Sequence, residues 1–504
     1  MSFPILSVIV FTPIVAGMLI LLIPGERKAE VRVAALAAAS LALGLSLWTY
    51  FSYDRAAGGY QFVQQLAWIP QLGVSYHVGV DGMSLPLVLL TGVVMFTGVL
   101  ISWGIEDRPR EFFAFLFILA TGVFGVFVAL DLFMLFFFYE IAVFPMYLLI
   151  AIWGWQVTRE YAAMKLTLYL FVGSVVAMVG ALVMYFASGI HTFDMLALSQ
   201  AEQGGAFDHL AYNLFGQSVP FQVVWFLPVF FGFAVLGGIF PVHNWSPDGH
   251  VAAPTAVSMF HAGVLMKLGA FAALRVGIML LPEGAKYWAW LILALATVNV
   301  VYGAFIAMVQ TDFKYVIGFS SVSHMGLVML GFATLNRQGM TGAGLQMFSH
   351  GVMTALFFAV VGMVYDRAHT REIPKLGGFA KAMPLVAVAF IIGGLVSMGM
   401  PGFSGFIAEF PIFMGLWQKQ PIVALLAAVA IVVTAAYIMR VIGRVFFGGM
   451  PAEFEGHISP ITALDKVALV ILSAILVIIG IYPAIMAPLV ESGAVSVLRL
   501  LGGG

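Results

Sequence analysis

Apolar residues fill this chain in long blocks separated by short polar links, without the strict alternation that marks a half-buried strand. A run of roughly 20 apolar residues is enough for a helix to cross a bilayer. By that measure about fourteen spans are predicted, near residues 3–23, 33–53, 84–104, 112–130, 132–153, 165–188, 221–243, 254–281, 287–309, 313–334, 341–365, 384–417, 421–447 and 467–490. No strand is expected. The seventh and twelfth spans carry helix breakers inside them, at Gly237-Gly238-Ile239-Phe240-Pro241 and at Gly399-Met400-Pro401-Gly402. Non-helical backbone at that depth survives only inside protein or beside water, and paired breaks suggest an inverted repeat. The halves run over residues 112–281 and 287–447, flanked by N-terminal helices in 1–111 and a C-terminal helix in 448–504, all within one transmembrane domain.

The links distinguish the two membrane faces. Links 54–83 and 189–218 contain a single basic residue, Arg55, whereas Arg27, Lys28, Arg32, Arg108 and Arg110 gather in links on the opposite face. Basic residues favour the cytoplasmic side, so both termini are expected outside. There is no Lys or Arg before Arg27, so the first run lacks the basic lead of a signal peptide and is expected to be an uncleaved span.

Composition agrees with a multi-pass membrane protein. Hydrophobic residues make up 62% and charged residues 9% of the 504 positions, against about 25% charged in a soluble domain. The 22 Lys plus Arg balance 23 Asp plus Glu without a basic patch, so nucleic acid is not an expected partner. With no cysteine, thiolate metal sites, disulfides and iron–sulfur ligation are excluded. The abundant Met and Phe suit packing against lipid and core. No cofactor site or redox centre is expected in this chain.

Ionisable groups inside the spans are the candidate chemistry. Glu140 lies in the fifth predicted span, Lys267 in the eighth, and Glu409 just past the second break. Each is costly at membrane depth unless paired or hydrated, so each is a functional candidate by default. Lys267 is too far from either interface to snorkel out. Lys165 opens the sixth span, where snorkelling alone explains it. His243, His261, His324 and His350 lie in or beside spans, and His250 follows the first break. Each is either a hydrogen-bonded structural imidazole or a relay that accepts on one nitrogen and donates on the other. A metal site from His243, Asp248, His250 and His261 fits no ligand template, so none is expected.

Four segments together resemble the M subunit of NADH-quinone oxidoreductase, respiratory complex I, a member of the antiporter-like family. They are Tyr139-Glu140-Ile-Ala-Val-Phe-Pro145, Pro241-Val-His-Asn-Trp-Ser-Pro-Asp-Gly-His250, Asp312-Phe-Lys-Tyr-Val-Ile-Gly-Phe-Ser-Ser-Val-Ser-His324 and Gly399-Met-Pro-Gly-Phe-Ser-Gly-Phe-Ile-Ala-Glu409. The resemblance implies an all-α membrane fold of fourteen helices with two inverted five-helix repeats. It also implies proton translocation coupled to quinone reduction, through Glu140, Lys267, His324, His350 and Glu409 along a hydrated axis. FMN, iron–sulfur clusters and quinone would belong to partner subunits, and L-type and N-type antiporter-like subunits would be neighbours in a bacterial inner membrane. Glu409 favours the M type, because L and N types usually carry Lys at that position. One departure stands out: where the family has a seventh-helix Lys paired with the fifth-helix Glu, this chain has Leu236. Either another cation replaces it, Lys165 in preference to His243, or the coupling is altered. Related alternatives are a subunit of a multi-subunit cation/proton antiporter, of a membrane-bound hydrogenase or formate hydrogenlyase complex, or a non-conducting scaffold.

Overall fold

The computed structural model describes residues 3–214, 216–456 and 458–502. Helices α1 (Ile5–Leu21) and α2 (Lys28–Ser52) lead into a hairpin of β1 (Gln61–Ile69) and β2 (Val74–Val80). Next come α3 (Ser84–Ile101), α4 (Pro109–Val128), α5 (Leu132–Trp153), α6 (Arg159–Ala187) and the short α7 (Met195–Gln203). A second hairpin, β3 (Ala211–Leu214) with β4 (Gln217–Pro220), precedes α8 (Phe221–Ala234), α9 (Trp245–Ala252), α10 (Thr255–Phe260) and α11 (Met266–Ala272). The remainder is α12 (Pro282–Val309), α13 (Phe313–Ala333), α14 (Arg337–Ala368), α15 (Phe379–Ala382), α16 (Pro384–Ser397), α17 (Ser404–Lys419), α18 (Pro421–Val441), α19 (Ala463–Ile481) and α20 (Ala487–Leu500). Among the described residues, 11 helical segments are long and apolar enough to cross a membrane, and α1, α8 and α16 are shorter apolar helices. The chain is an all-helical membrane protein apart from the two hairpins.

Those hairpins correct the expectation of no strand, and both fall in the two polar links. Antiparallel pairing satisfies backbone groups that a link outside the spans would otherwise leave to water. The first hairpin turns at Gly73, whose φ of 65° suits glycine and whose Cβ, if present, would lie 2.2 Å from the His191 carbonyl. The last predicted span also ends early. Pro483 stops α19 near Ile481, and α20 turns away to pack against α14.

Two aspartates set the start of helices in the two halves. The Asp131 carboxylate accepts from the Phe133 and Met134 amides at the head of α5, and Asp312 accepts from those of Lys314 and Tyr315 at the head of α13. Each is bridged to the link after the next helix, Asp131 to Asp194 and Asp312 to Glu372. At the end opposite the hairpins, Lys28 and Arg32 both bond Glu106 and hold its carboxyl below the usual range.

The breaks occur where glycine and proline place them. After α8 the chain leaves helical form through Gly238 (φ 73°), and after α16 through Gly399 (φ 63°) and Gly402 (φ 92°). The freed polar groups of the first break are taken up by side chains. Asn299 of α12 donates to the Gly238 carbonyl at 2.7 Å and accepts from the Phe240 amide, and the Trp245 indole donates to Val235 at 3.0 Å. α14 is buried along its span, as are α10 and α11 with the π-helical turns His261–Leu265 and Ala273–Ile278 that flank Lys267. These helices form the centre of the bundle, while α6 and α18 present much of their surface outward.

Candidate functional site

A line of ionisable side chains crosses the buried centre. The Lys267 Nζ lies 2.7 Å from His350 Nδ1 on α14 and also donates to the Ala262 carbonyl. That carbonyl belongs to the π-helical turn His261–Leu265, so the irregular backbone itself supplies an acceptor to the amine. The His350 and His324 rings are 5.4 Å apart between centroids. His324 Nδ1 in turn stands 3.2 Å from Glu409 Oε1, and its Nε2 is 2.9 Å from the Ser397 hydroxyl. Gln346 completes the contact by donating to Glu409 Oε1 at 3.1 Å. Lys267, His350, His324 and Glu409 are each no more than 3% exposed. Four groups named from sequence are thus brought together by α11, α13, α14 and α17.

Two further buried imidazoles lie near this line. His250 and His261 lie ring against ring at 4.0 Å, with the Ser246 hydroxyl 3.0 Å from His250 Nε2. Both rings are fully buried. His250 Nδ1, both His261 nitrogens, His350 Nε2 and Glu409 Oε2 have no hydrogen-bond partner among the described residues. Buried polar atoms of this kind are normally satisfied by protein or by ordered water. No group of three or more His, Asp or Glu in metal-holding arrangement occurs among the described residues.

The remaining candidates stand apart, and the expected partner of Glu140 is overturned. Lys165 forms an ion pair with Asp248 at 2.7 Å, and Tyr315 donates to the other Asp248 oxygen at 2.9 Å. Glu140 makes no ion pair among the described residues; its partner is the Ser174 hydroxyl at 2.7 Å. Ser174 sits nine residues beyond Lys165 on α6, about 13 Å along the helix axis, so the lysine is committed elsewhere. His243 does not substitute either. It is stacked on Phe240 and set edge-on to Tyr302, with ring centroids 5.7 and 5.4 Å away. Leu236, at the position of the absent lysine, is fully buried.

Glu140 also departs from the expectation that it is enclosed by the bundle. It is exposed, on the wall of a lateral groove of about 640 Å³ formed by α5 and α6. The run Leu132–Phe138 is apolar on every side of its helix, so nothing in it distinguishes the inward face from the outward one. Sequence reasoning missed Gln346, Asn299 and Ser174, because a lone amide or hydroxyl in a helix carries no periodic signal. Asp248 and Ser397 stood beside the named motifs without an assigned partner.

Residues 129–434 match the family described as NADH:quinone oxidoreductase/Mrp antiporter, TM. The chain belongs to this family. It is 35% identical over 511 residues to NAD(P)H-quinone oxidoreductase chain 4 2 of Thermosynechococcus vestitus, covering 100% of this chain and 93% of that protein. With NADH-quinone oxidoreductase subunit M of Rhodobacter capsulatus it shares 37% identity over 492 residues, covering 96% and 94% of the two chains. Its fold is similar to a chain of respiratory complex I from Thermus thermophilus with bound NADH, with TM-score 0.87 and 27% identity over 99% of this chain and 100% of that one. A chain of the Mrp complex from Dietzia shares the fold at TM-score 0.85 and 21% identity, covering 100% of both chains.

Proposed function

We propose that this family member is the M-type, or chain 4, antiporter-like membrane subunit of an NAD(P)H-quinone oxidoreductase of the complex I class, and that it moves protons through its buried centre. The observation that carries the proposal is the continuous sequence Lys267, His350, His324, Glu409, in which neighbouring groups lie within hydrogen-bond or ring-contact distance. Every member of that series can hold and release a proton, and the unpartnered nitrogens at His250 and His261 extend it toward the break after α8. Water between them would complete a hydrated axis. Electron transfer needs flavin, iron–sulfur clusters and quinone, which belong to partner subunits, since a chain without cysteine offers no thiolate for a cluster.

The architecture fits fourteen spans arranged as two inverted five-helix repeats, over residues 112–281 and 287–447. Support comes from the matching breaks after α8 and α16 and from the matching aspartate caps at the heads of α5 and α13. The hairpin end then faces outside and the basic links face the cytoplasm. L-type and N-type subunits are the expected neighbours in a bacterial inner membrane. Within this scheme, redox change in a neighbouring subunit alters the charge balance of the buried line, and Lys267 passes its proton toward Glu409.

The test is Lys267→Ala in the assembled complex, with proton uptake into vesicles and quinone reduction read together. Pumping is expected to fall by about tenfold or more, the effect of raising the limiting step by about 1.4 kcal/mol. Full pumping in an assembled Lys267→Ala complex rejects the role given to that amine.

A further inference from the structure

His324 differs from the other imidazoles at the buried centre. His250, His261 and His350 each leave at least one ring nitrogen without a hydrogen-bond partner among the described residues, whereas His324 has a partner on both. Its Nδ1 faces Glu409 Oε1, which also accepts from Gln346, and its Nε2 faces the hydroxyl of Ser397, the last residue of α16 before the second break. Behind Ser397 lies a cluster of hydroxyls drawn from three helices. Tyr437 of α18 is fully buried and donates to Ser320 of α13 at 2.8 Å, and the Ser397 and Thr434 hydroxyls also bond to it. Much of α18 faces outward, yet Thr434 and Tyr437 on its buried stripe turn two hydroxyls inward.

Counting protons shows what this cluster can do. A neutral imidazole donates from one nitrogen and accepts at the other. Beside the Glu409 carboxylate the donor is Nδ1, so Nε2 accepts the Ser397 proton. When the ring carries a second proton, Nε2 donates instead, and the Ser397 hydroxyl must turn its own proton away. Tyr437 has given its proton to Ser320, so its phenol oxygen can accept. Without that acceptor, a buried polar group is left unsatisfied at the moment the ring becomes charged, and the charged ring is disfavoured.

We propose that Ser397 and Tyr437 are positioning residues that allow His324 to carry its second proton: the Ser397 hydroxyl reverses from donor to acceptor as Nε2 is protonated, and the Tyr437 oxygen accepts the hydrogen bond that Ser397 then makes. The proposal rests on the reading of the buried line as a proton path. The ring gains one proton and one unit of charge in this step and loses both when a proton passes on toward Glu409, while Ser397 and Tyr437 each keep their own proton throughout. The groups facing His324 are Glu409 of α17, Gln346 and His350 of α14 and Ser397 of α16, with Tyr437 of α18 behind Ser397.

The pH dependence of pumping by the assembled complex in sealed vesicles tests this. Tyr437→Phe keeps the ring and removes the acceptor, and the alkaline limb of the profile is expected to move to lower pH by about one unit, the scale of one hydrogen bond to a charged group. Ser397→Ala is expected to move the limb in the same direction, and Ser397→Thr, which keeps a hydroxyl, to bring it back. Because Tyr437 acts through Ser397, adding Tyr437→Phe to Ser397→Ala is expected to move the limb no further. The proposal is overturned if the limb stays in place in assembled Tyr437→Phe and Ser397→Ala complexes, whatever their melting temperatures, and equally if the two shifts add. If it is overturned while Lys267→Ala still abolishes pumping, the hydroxyl switch fails and the proton-moving role of this chain stands.

Discussion

Two carboxylates on apolar helices, Glu409 and Glu140, sit in opposite surroundings. Glu409 is enclosed and touches both His324 and Gln346, and the contacts run on through His350 of the second half to Lys267 of the first. Around Glu140 the charged groups are divided. Lys165 is tied to Asp248, Glu140 faces the groove between α5 and α6, and Leu236 is fully buried. The enclosed line of titrating groups is built by both halves together, whereas Glu140 is left with a single hydroxyl contact at the edge of the bundle.

The largest expected effect on pumping separates the enclosed line from the groove. Lys267→Ala removes the amine that joins His350 to the π-helical turn, and pumping is expected to fall by about tenfold or more. Glu140→Gln, which keeps the Ser174 hydrogen bond and removes only the charge, is expected to cost less in the same vesicle assay. Equal losses in the two variants contradict the division drawn here.

A second experiment tries to restore the missing cation. Leu236→Lys places an ammonium at a fully buried position from which Glu140 is turned away. An unpaired buried charge costs about 3–5 kcal/mol, so the variant is expected to lower the melting temperature of the purified complex. The double variant with Glu140→Gln decides the geometry. If Glu140 stays in its groove, the second change adds nothing to the cost of the first; if Leu236→Lys alone is tolerated and the double variant is not, Glu140 reaches inward.

Gln346→Leu probes the sealed half more gently. It deletes the amide that donates to Glu409 while leaving His324 in contact. A hydrogen bond to a charged group contributes about 1.5–3 kcal/mol, but His324 remains, so a loss of about 1 kcal/mol or fivefold in pumping is expected. Unchanged pumping assigns Gln346 to packing alone.

Much of this arrangement is legible in the sequence, and the illegible parts share a cause. Spans and breaks stand out because lipid demands long apolar runs and because Gly238, Gly399 and Pro401 interrupt them. Lys267, His324, His350 and Glu409 stand out because ionisable residues are scarce at that depth. What a single chain cannot show is direction. The stripe Phe133, Phe137, Phe144 is as apolar as the buried Leu135, Phe138 and Tyr139 beside it, so the outward turn of Glu140 leaves no mark on hydrophobic periodicity. Lys165 and Asp248 are far apart in sequence, and their pairing depends on how α9 is set by the break before it. The hairpins leave little mark because they lie in links whose polarity resembles that of a loop.

The smallest expected effect lies outside the spans, where the first hairpin anchors the head of α5. Asp194 accepts from the Leu196 and Ala197 amides at 2.9 and 3.0 Å and stands 2.7 Å from His77 Nδ1 on β2. Burial raises its carboxyl pKa, but the His77 contact and the helix-cap amides outweigh burial and leave it below the usual aspartate range. The unfolded chain therefore binds this proton more tightly than the folded one. The contribution to stability is present above the unfolded value, near pH 4, and is lost as pH falls through the lower folded value. Asp194→Asn retains one cap oxygen and removes the charge, so a loss of about 1 kcal/mol at neutral pH is expected, along with a flatter acid limb in melting temperature. An unaltered acid limb in the variant assigns that limb to another group. Because Asp131 and Asp194 are bridged, a loosened cap would also show as faster hydrogen exchange at the first turn of α5, with the Lys267 line unaffected.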